Sequence, residues 1–300
     1  MRFSKYLIMD DRSLKQFINL ADSLHFGRAS EASNVSPSAL SRSIARIEEE
    51  VGVTLFERNN RSVSLTHAGQ LFLGYARETL GEWDTIQNTL MEEAAELHGE
   101  VSMYCSVTAS YSFLFEILAR FRQDFPSVEI KLHTGDPEDA IARVLSGNED
   151  IAIGARPGRM PAGLAFKPIA ESPLVFIAGR DDFLQQDGHH DAASGRWENI
   201  PMILPERGLA RRRVDDWFRK RSVSPQVYAQ VAGNEAIVSM VSLGFGVGVV
   251  PRIVLENSPL KDTVRILNVT PHLKAYEVGL FTLEKKLGNP IISAFWDKLE

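Results

Sequence analysis

His25-Phe26-Gly27-Arg28-Ala29-Ser30-Glu31-Ala32-Ser33-Asn34-Val35-Ser36-Pro37-Ser38-Ala39-Leu40-Ser41-Arg42-Ser43-Ile44-Ala45-Arg46-Ile47-Glu48 reads as two short helices joined by a tight turn. The first is small and alanine-rich, and Ala29 and Ala32 let another helix approach closely. The second opens with Ser36 as N-cap and Pro37 at the first helical position, where a missing N–H costs nothing. Leu40, Ile44 and Ile47 recur at three- and four-residue spacing and give it a buried stripe. Its other face carries Ser38, Ser41, Arg42 and Arg46, all donors, with no acid before Glu48. A helix held by its back and showing serine and arginine outward is how a helix-turn-helix meets a major groove. An ordinary helical hairpin shares this pattern, so the flanking chain has to decide.

The flanks favour DNA. A first helix spans about Asp11–Leu24, with Leu14, Phe17, Ile18 and Ala21 on one face. Beyond Glu50, apolar Leu55 and Phe56, a polar Asn59-Asn60 turn and alternating Val63 and Leu65 predict a small hairpin, a wing. Arg58 and Arg61 fall at its tip, placed for phosphate or the minor groove; a solvated surface hairpin is the alternative. Thr66 then caps a long helix in which Leu71, Phe72, Tyr75, Ala76, Leu80, Trp83, Ile86, Leu90, Ala94 and Leu97 keep helical spacing. At 1.5 Å per residue it extends roughly 45–50 Å. Its remaining surface is acidic, through Glu78, Glu82, Asp84, Glu92, Glu93 and Glu96, and does not itself suit DNA. A long striped helix needs a partner, most simply its own copy in a homodimer; packing back on its own chain is the alternative. The expected division is a winged helix-turn-helix over residues 9–66 (helix-turn-helix about 26–45), a linker helix over 67–98, and a further domain over 99–300.

Composition sets the outer limits. Three hundred residues suggest about two domains. Hydrophobic residues at 44% and charged residues at 24% suit a globular chain with a real core. The net charge of −6 excludes a bulk polycation, so DNA binding has to come from a few well-placed arginines. One cysteine, Cys105, permits no intrachain disulfide and points to a reducing compartment. No apolar run approaches 18 residues and no secretory signal follows the first charges, so a cytoplasmic protein with no membrane partner is expected. Residues 1–8 lack helical periodicity and read as an extension ahead of Met9.

From Glu100 onward, strand-like and helix-like runs alternate. The strands are read at Val101–Cys105, Val128–Leu132, Asp150–Gly154, Leu174–Ala178, Met202–Leu204, Val227–Val231, Val247–Val250 and Tyr276–Thr282. Helices are read at Tyr111–Phe125, Glu138–Leu145, Ala210–Arg221, Glu235–Leu243 and Pro290–Leu299. Alternation of this kind predicts an α/β region with mainly parallel sheets. Two lobes are expected, about 99–168 with 269–300 and about 169–268, with a cleft between them as in type II periplasmic binding proteins. The Gly- and Asp-rich stretch 186–195 reads as a surface loop.

A carboxylate ligand in such a cleft would favour helix N-termini, where free N–H groups and the helix dipole attract negative charge. Ser106, Val107, Thr108 and Ser110 lie where the first strand turns into its helix. Thr134 and Gly135 follow the second strand, Asn234 and Glu235 open a helix of the other lobe, and Arg156 offers positive charge. Simple capping accounts equally for each serine or threonine. Gly244-Phe245-Gly246-Val247-Gly248 follows a helix and leads into a strand, the reverse of a dinucleotide fingerprint. The seven histidines keep no metal-ligand spacing, Cys105 reads as a buried strand residue, and Arg211-Arg212-Arg213 with Arg219, Lys220 and Arg221 reads as a solvated or subunit-facing surface.

The motifs as a set resemble the LysR-type transcriptional regulators. Ser36-Pro37-Ser38-Ala39-Leu40-Ser41-Arg42, the wing Leu55-Phe56-Glu57-Arg58 and Leu65-Thr66-His67-Ala68-Gly69 carry the likeness over about residues 9–70. Further segments resemble the branch that activates isoleucine–valine biosynthesis: Cys105–Ser112, Ser127–Leu132, Thr134–Asp136, Arg211–Arg213 with Trp217–Arg219, Glu235–Val241 and Val254–Pro259. Residues 181–196 find no counterpart. The resemblance implies a non-enzymatic regulator without a cofactor, forming homodimers that pair into a homotetramer on double-stranded operator DNA. It implies that Ser36, Pro37, Ser38, Ser41, Arg42, Arg46, Arg58 and Arg61 meet that DNA, and that the hydroxyls around Ser106 lie where effectors bind. It further implies a small organic acid coinducer, acetolactate or acetohydroxybutyrate, that relaxes a DNA bend and helps RNA polymerase transcribe the acetohydroxy acid isomeroreductase gene. Repression of the regulator's own divergent gene would accompany this. Two alternatives remain at this stage: another small organic acid inducer, or a solute-binding or enzymatic two-lobed domain with an N-terminal appendage. Against the last, the strand ends show no nucleophile–base pair, metal cluster or phosphate loop.

Overall fold

The computed structural model describes residues 9–58, 62–92, 97–180 and 197–298. The chain forms two units, residues 1–93 and 94–300. The extension before Met9, the wing tip with Arg61, Glu93 and Glu96 of the acidic surface, and the loop at 181–196 lie outside the described residues.

In the first unit, α1 (Asp11–Ser23) starts at Asp10, whose Oδ1 accepts from Ser13 N at 2.8 Å. It stops at Leu24, which turns into the left-handed region at φ 47°. Helices α2 (Phe26–Ala32) and α3 (Pro37–Val51) follow, joined through Asn34 at φ 50°. Leu40, Ile44 and Ile47 of α3 are at most 2% exposed and pack against Leu14, Phe17, Leu20 and Phe56. Strands β1 (Phe56–Arg58) and β2 (Val63–Leu65) pair antiparallel as the wing. Thr66 Oγ1 accepts from Gly69 N at 2.9 Å and so caps α4 (His67–Glu92). The single apolar stripe read from the sequence divides in two on α4. Phe72, Ala76 and Leu80 pack into this unit's core, with Phe72 edge-on to Phe17 at 4.7 Å, whereas Leu71, Tyr75, Trp83, Ile86 and Leu90 stay exposed.

The second unit has two lobes, each built on a five-stranded sheet. The first sheet has the order β4-β3-β5-β12-β6, from β3 (Gly99–Cys105), β4 (Val128–Thr134), β5 (Ile151–Ala155), β6 (Leu164–Ser172) and β12 (Tyr276–Leu283). The second has the order β11-β7-β10-β8-β9, from β7 (Leu174–Gly179), β8 (Pro201–Pro205), β9 (Gln226–Val231), β10 (Val247–Pro251) and β11 (Val264–Ile266). The sheets are mixed, not mainly parallel. β3 runs parallel to β4 and β5, and β8 to β9 and β10, while β12, β6, β7 and β11 pair antiparallel. The cause is the double crossover. A strand arriving from the other lobe enters at the end where the parallel strands finish, and so runs against them.

Among the described residues the α-helices are α5 (Val107–Ser112), α6 (Leu114–Asp124), α7 (Ala140–Leu145), α8 (Gly208–Arg219), α9 (Asn234–Ser242), α10 (Arg252–Glu256) and α11 (Pro290–Asp297). The helix expected over Tyr111–Phe125 is thus two helices broken at Phe113, and the helix expected from Glu138 begins as a 3₁₀ turn at Pro137–Asp139. The first crossover falls at Pro173, beyond the boundary read from the sequence, because β6 continues to Ser172. Tyr276, which opens β12 after the return crossing, packs against the cores of both lobes.

Candidate DNA-reading helix and effector cavity

Ser36 Oγ accepts from Ala39 N at 3.2 Å and lies 3.1 Å from Ser38 Oγ, fixing the first turn of α3. Ser36, Pro37, Ser38, Arg42 and Arg46 are exposed and Ser41 is half-buried. Among the described residues neither Arg42 nor Arg46 forms an ion pair, so both guanidinium groups stay open to phosphate or a base edge. Arg58 is placed differently. It bonds Glu48 Oε2 at 2.8 Å and lies 5.2 Å from the centre of the Phe26 ring. Glu48 Oε1 also accepts from Leu55 N at 2.8 Å and Phe56 N at 3.0 Å. The acid that ends the basic face of α3 therefore ties the reading helix to the start of the wing.

A cavity of about 150 Å³ lies between the lobes of the second unit, where strands from both sheets end. Ser106 and Thr108 contribute from the first lobe and Arg207, Arg212 and Asn234 from the second, with Ser172 and Tyr276 at the crossovers. Of the residues singled out in the sequence, Ser106, Thr108 and Asn234 line this wall, and Glu235, exposed and off the lining, meets it through Thr108, accepting from its Oγ1 at 2.5 Å. Val107 and Ser110 lie off the lining, and the Ser110 hydroxyl donates to Val107 O at 2.6 Å. Thr134 and Gly135 also lie off it. A Cβ on Gly135 would come 2.3 Å from Tyr104 Oη, so this glycine makes room for the Tyr104 bond to Asp136 O at 2.9 Å. Arg156 is off the wall too, paired with Glu277 at 2.8 Å and set against the Phe166 ring.

The positive charge in the wall comes instead from Arg207 and Arg212. Arg207 bonds Asp136 and Asp139 at 3.0 Å each, whereas Arg212 has no ion-pair partner among the described residues. The other arginines of that basic run are engaged internally. Arg211 pairs with Asp215, Arg213 donates to Lys274 O, and Arg219 pairs with Asp216. Arg221 donates to Trp217 O and Thr270 O. Burial raises the Tyr276 phenol above its usual range, so it stays a neutral hydroxyl at any physiological pH. Ser172, 2% exposed, lies beside that phenol on the paired strand without a hydrogen bond of ordinary geometry. Sequence reasoning passed over Ser172, Tyr276, Arg207 and Glu138, and it read Arg212 as part of a solvated or subunit-facing surface where the structure puts it in the cavity wall. The first four share a position at a strand end or helix start facing the other lobe.

Cys105 closes β3, fully buried, and burial pushes its thiol up to about 11. The thiolate fraction at pH 8 then falls about a hundredfold below that of an ordinary thiol near 9. Alkylation of the native chain by iodoacetamide at pH 8 is expected to run at least about a hundredfold slower than in the chain unfolded in urea. Equal rates would show that the thiol is accessible.

Comparison with known proteins places both units. Residues 12–70 match the family of bacterial regulatory helix-turn-helix proteins of the lysR type, and residues 94–300 match the LysR substrate binding domain. The chain is 44% identical over 293 residues to the HTH-type transcriptional activator IlvY of Salmonella typhimurium, covering 96% of this chain and 98% of that protein. Its fold is similar to full-length OxyR from Pseudomonas aeruginosa, with a TM-score of 0.71 at 20% identity over 97% of this chain and 94% of that one. It is likewise similar to full-length CbnR complexed with its target DNA, with a TM-score of 0.64 at 22% identity over 97% and 99%. With the exposed serines and arginines of α3 in one unit and a two-lobed cavity in the other, the chain belongs to the LysR family of transcriptional regulators, as a near relative of the IlvY activators.

Proposed function

We propose that this protein activates the acetohydroxy acid isomeroreductase gene of isoleucine–valine biosynthesis when acetolactate or acetohydroxybutyrate occupies the interlobe cavity, and that it represses its own gene. The observation that carries the reading is 44% identity over nearly the full chain to an IlvY activator, joined to a cavity small enough for a compact acid. Its volume is below the roughly 300–1,000 Å³ of sites for drug-sized ligands. Its wall offers the hydroxyls of Ser106, Thr108, Ser172 and Tyr276 and the cation Arg212, which suit a carboxylate carrying a neighbouring hydroxyl and ketone. The protein works in the cytoplasm with RNA polymerase and no cofactor, as a homodimer joined along Leu71, Tyr75, Trp83, Ile86 and Leu90 of α4 that pairs into a homotetramer. No helix among the described residues is long and apolar enough to cross a membrane.

Footprinting on the DNA upstream of the protein's own gene, with and without each acid, tests this. Protection of paired sites is expected, with the cleavage pattern between them changed by acetolactate or acetohydroxybutyrate and not by pyruvate. A footprint indifferent to both acids would move the regulator to another inducer, and no footprint would remove the operator assignment.

A further inference from the structure

Among the described residues, three side-chain links made by carboxylates join the two walls of the cavity. Glu235, at the start of α9 in the second lobe, accepts from Thr108 Oγ1 at 2.5 Å and from Thr108 N at 3.2 Å in the first. Glu138, in the first lobe, accepts from Leu209 N at 3.1 Å on the second. It also fills the space beside Gly208, whose φ is +93° and where a Cβ would come 1.9 Å from Glu138 Cδ. Arg207 of the second lobe reaches Asp136 and Asp139 of the first. The wall therefore already holds carboxylates where an acid ligand would seek its donors. Thr108, 3% exposed, gives both its N–H and its O–H to Glu235, while the buried Ser172 hydroxyl in the same cavity, beside the Tyr276 phenol, has no hydrogen bond of ordinary geometry.

We propose that Glu235 is an internal substitute for the effector's carboxylate, seated on Thr108 until an acid effector enters and displaces it, with the Ser172 hydroxyl binding the effector's second polar group. The inference rests on the cavity being the effector site. A ligand carboxylate presents the same charge and the same two acceptor oxygens as Glu235, and one pair of donors cannot serve both. Two carboxylates drawn to the same donors also repel each other. Glu235 belongs to the opposite lobe from Thr108, so its displacement breaks a link between lobes, and ligand entry becomes a change in how the lobes are tied. A neutral ligand of the same shape has no claim on Thr108 and leaves Glu235 in place. The fraction of molecules with Glu235 bound lowers the apparent affinity for acids and for nothing else.

Glu235→Gln keeps the size and weakens the acceptor. Calorimetric titration of the full chain with acetolactate and with its methyl ester is expected to show the acid binding the variant about tenfold more tightly, and the ester changing less than about twofold. Without ligand, exchange of the Thr108 amide hydrogen is expected to speed up about tenfold or more in the variant. Ser172→Ala is expected to weaken acetolactate about tenfold and leave Thr108 exchange alone. Unchanged or weaker acid binding by Glu235→Gln, or equal gains for acid and ester, overturns the proposal. If the wild-type chain binds neither acetolactate nor acetohydroxybutyrate, the functional reading falls separately, and Thr108 exchange then decides alone; no change in it overturns the Glu235 link as well.

Discussion

Arg42→Ala is expected to erase discrimination between operator and random DNA while leaving the chain folded. Arg42 is exposed on α3, nearly two turns beyond the Ser36 cap and on the face opposite Leu40, Ile44 and Ile47. It forms no ion pair among the described residues, so its removal breaks no internal contact of that kind, and alanine suits a helix better than arginine. Stability should move by no more than about 0.5 kcal/mol. An arginine reading guanine through two hydrogen bonds contributes ~1–3 kcal/mol of discrimination, or about 5- to 150-fold for each half-site. In a dimer the loss occurs at both half-sites. Competition mobility shifts should therefore show the specific affinity falling toward that for random DNA. Arg46→Ala should instead weaken both, reducing the salt slope by about one. An Arg42→Ala chain that protects the same operator at equal affinity would move base reading to another part of the helix.

The contrast between these arginines shows which parts of the molecule the sequence carries openly. Helix α3 was legible because its signals are local: a serine cap, a proline at the first position and a stripe at helical spacing, all within one element. Arg58 was legible as a wing residue, but its partner Glu48 lies ten positions back, and only the packing of the wing on α3 brings the two together. Arg156 shows the same limit at the cavity. It follows strand β5, the natural place for a ligand-facing cation, yet Glu277 on the neighbouring strand β12 takes it. Arg212 stands in a run of chemically identical arginines, and only the fold separates it from the engaged Arg211 and Arg213. Strand β6 escaped the pattern because it is an edge strand carrying Lys167 and Pro168, the latter set opposite an irregularity at Val278/Gly279. Residues whose role depends on the other lobe, such as Glu138 and Ser172, leave no periodic trace at all.

Glu48→Ala is expected to destabilise the DNA-binding unit more than any substitution on the face of α3. The Glu48 carboxylate holds three groups at once: the amides of Leu55 and Phe56, residues only 1% exposed, and the guanidinium of Arg58. Alanine supplies no acceptor, and water has little access to the two amides beside that core. Each buried donor left unpaired costs about 1–3 kcal/mol, so a loss of about 2–5 kcal/mol is expected. For a unit of this size that corresponds to a melting transition lowered by roughly 10–30 °C. Glu48→Gln separates the contributions, because its amide oxygen still accepts from both backbone groups while the charge facing Arg58 is gone. It should retain most of the stability, since a partly exposed ion pair contributes at most about 1 kcal/mol. Amide exchange at Leu55 and Phe56 in the full chain provides the local readout, expected to accelerate at least about thirtyfold in the alanine variant and only a few-fold in the glutamine variant. DNA affinity should fall with it, because the wing loses its register against the reading helix, and should recover partly on cooling as the folded population returns. An alanine variant that melts within a degree or two of wild type, with protected amides, would show that the wing is held by Leu55 and Phe56 packing alone.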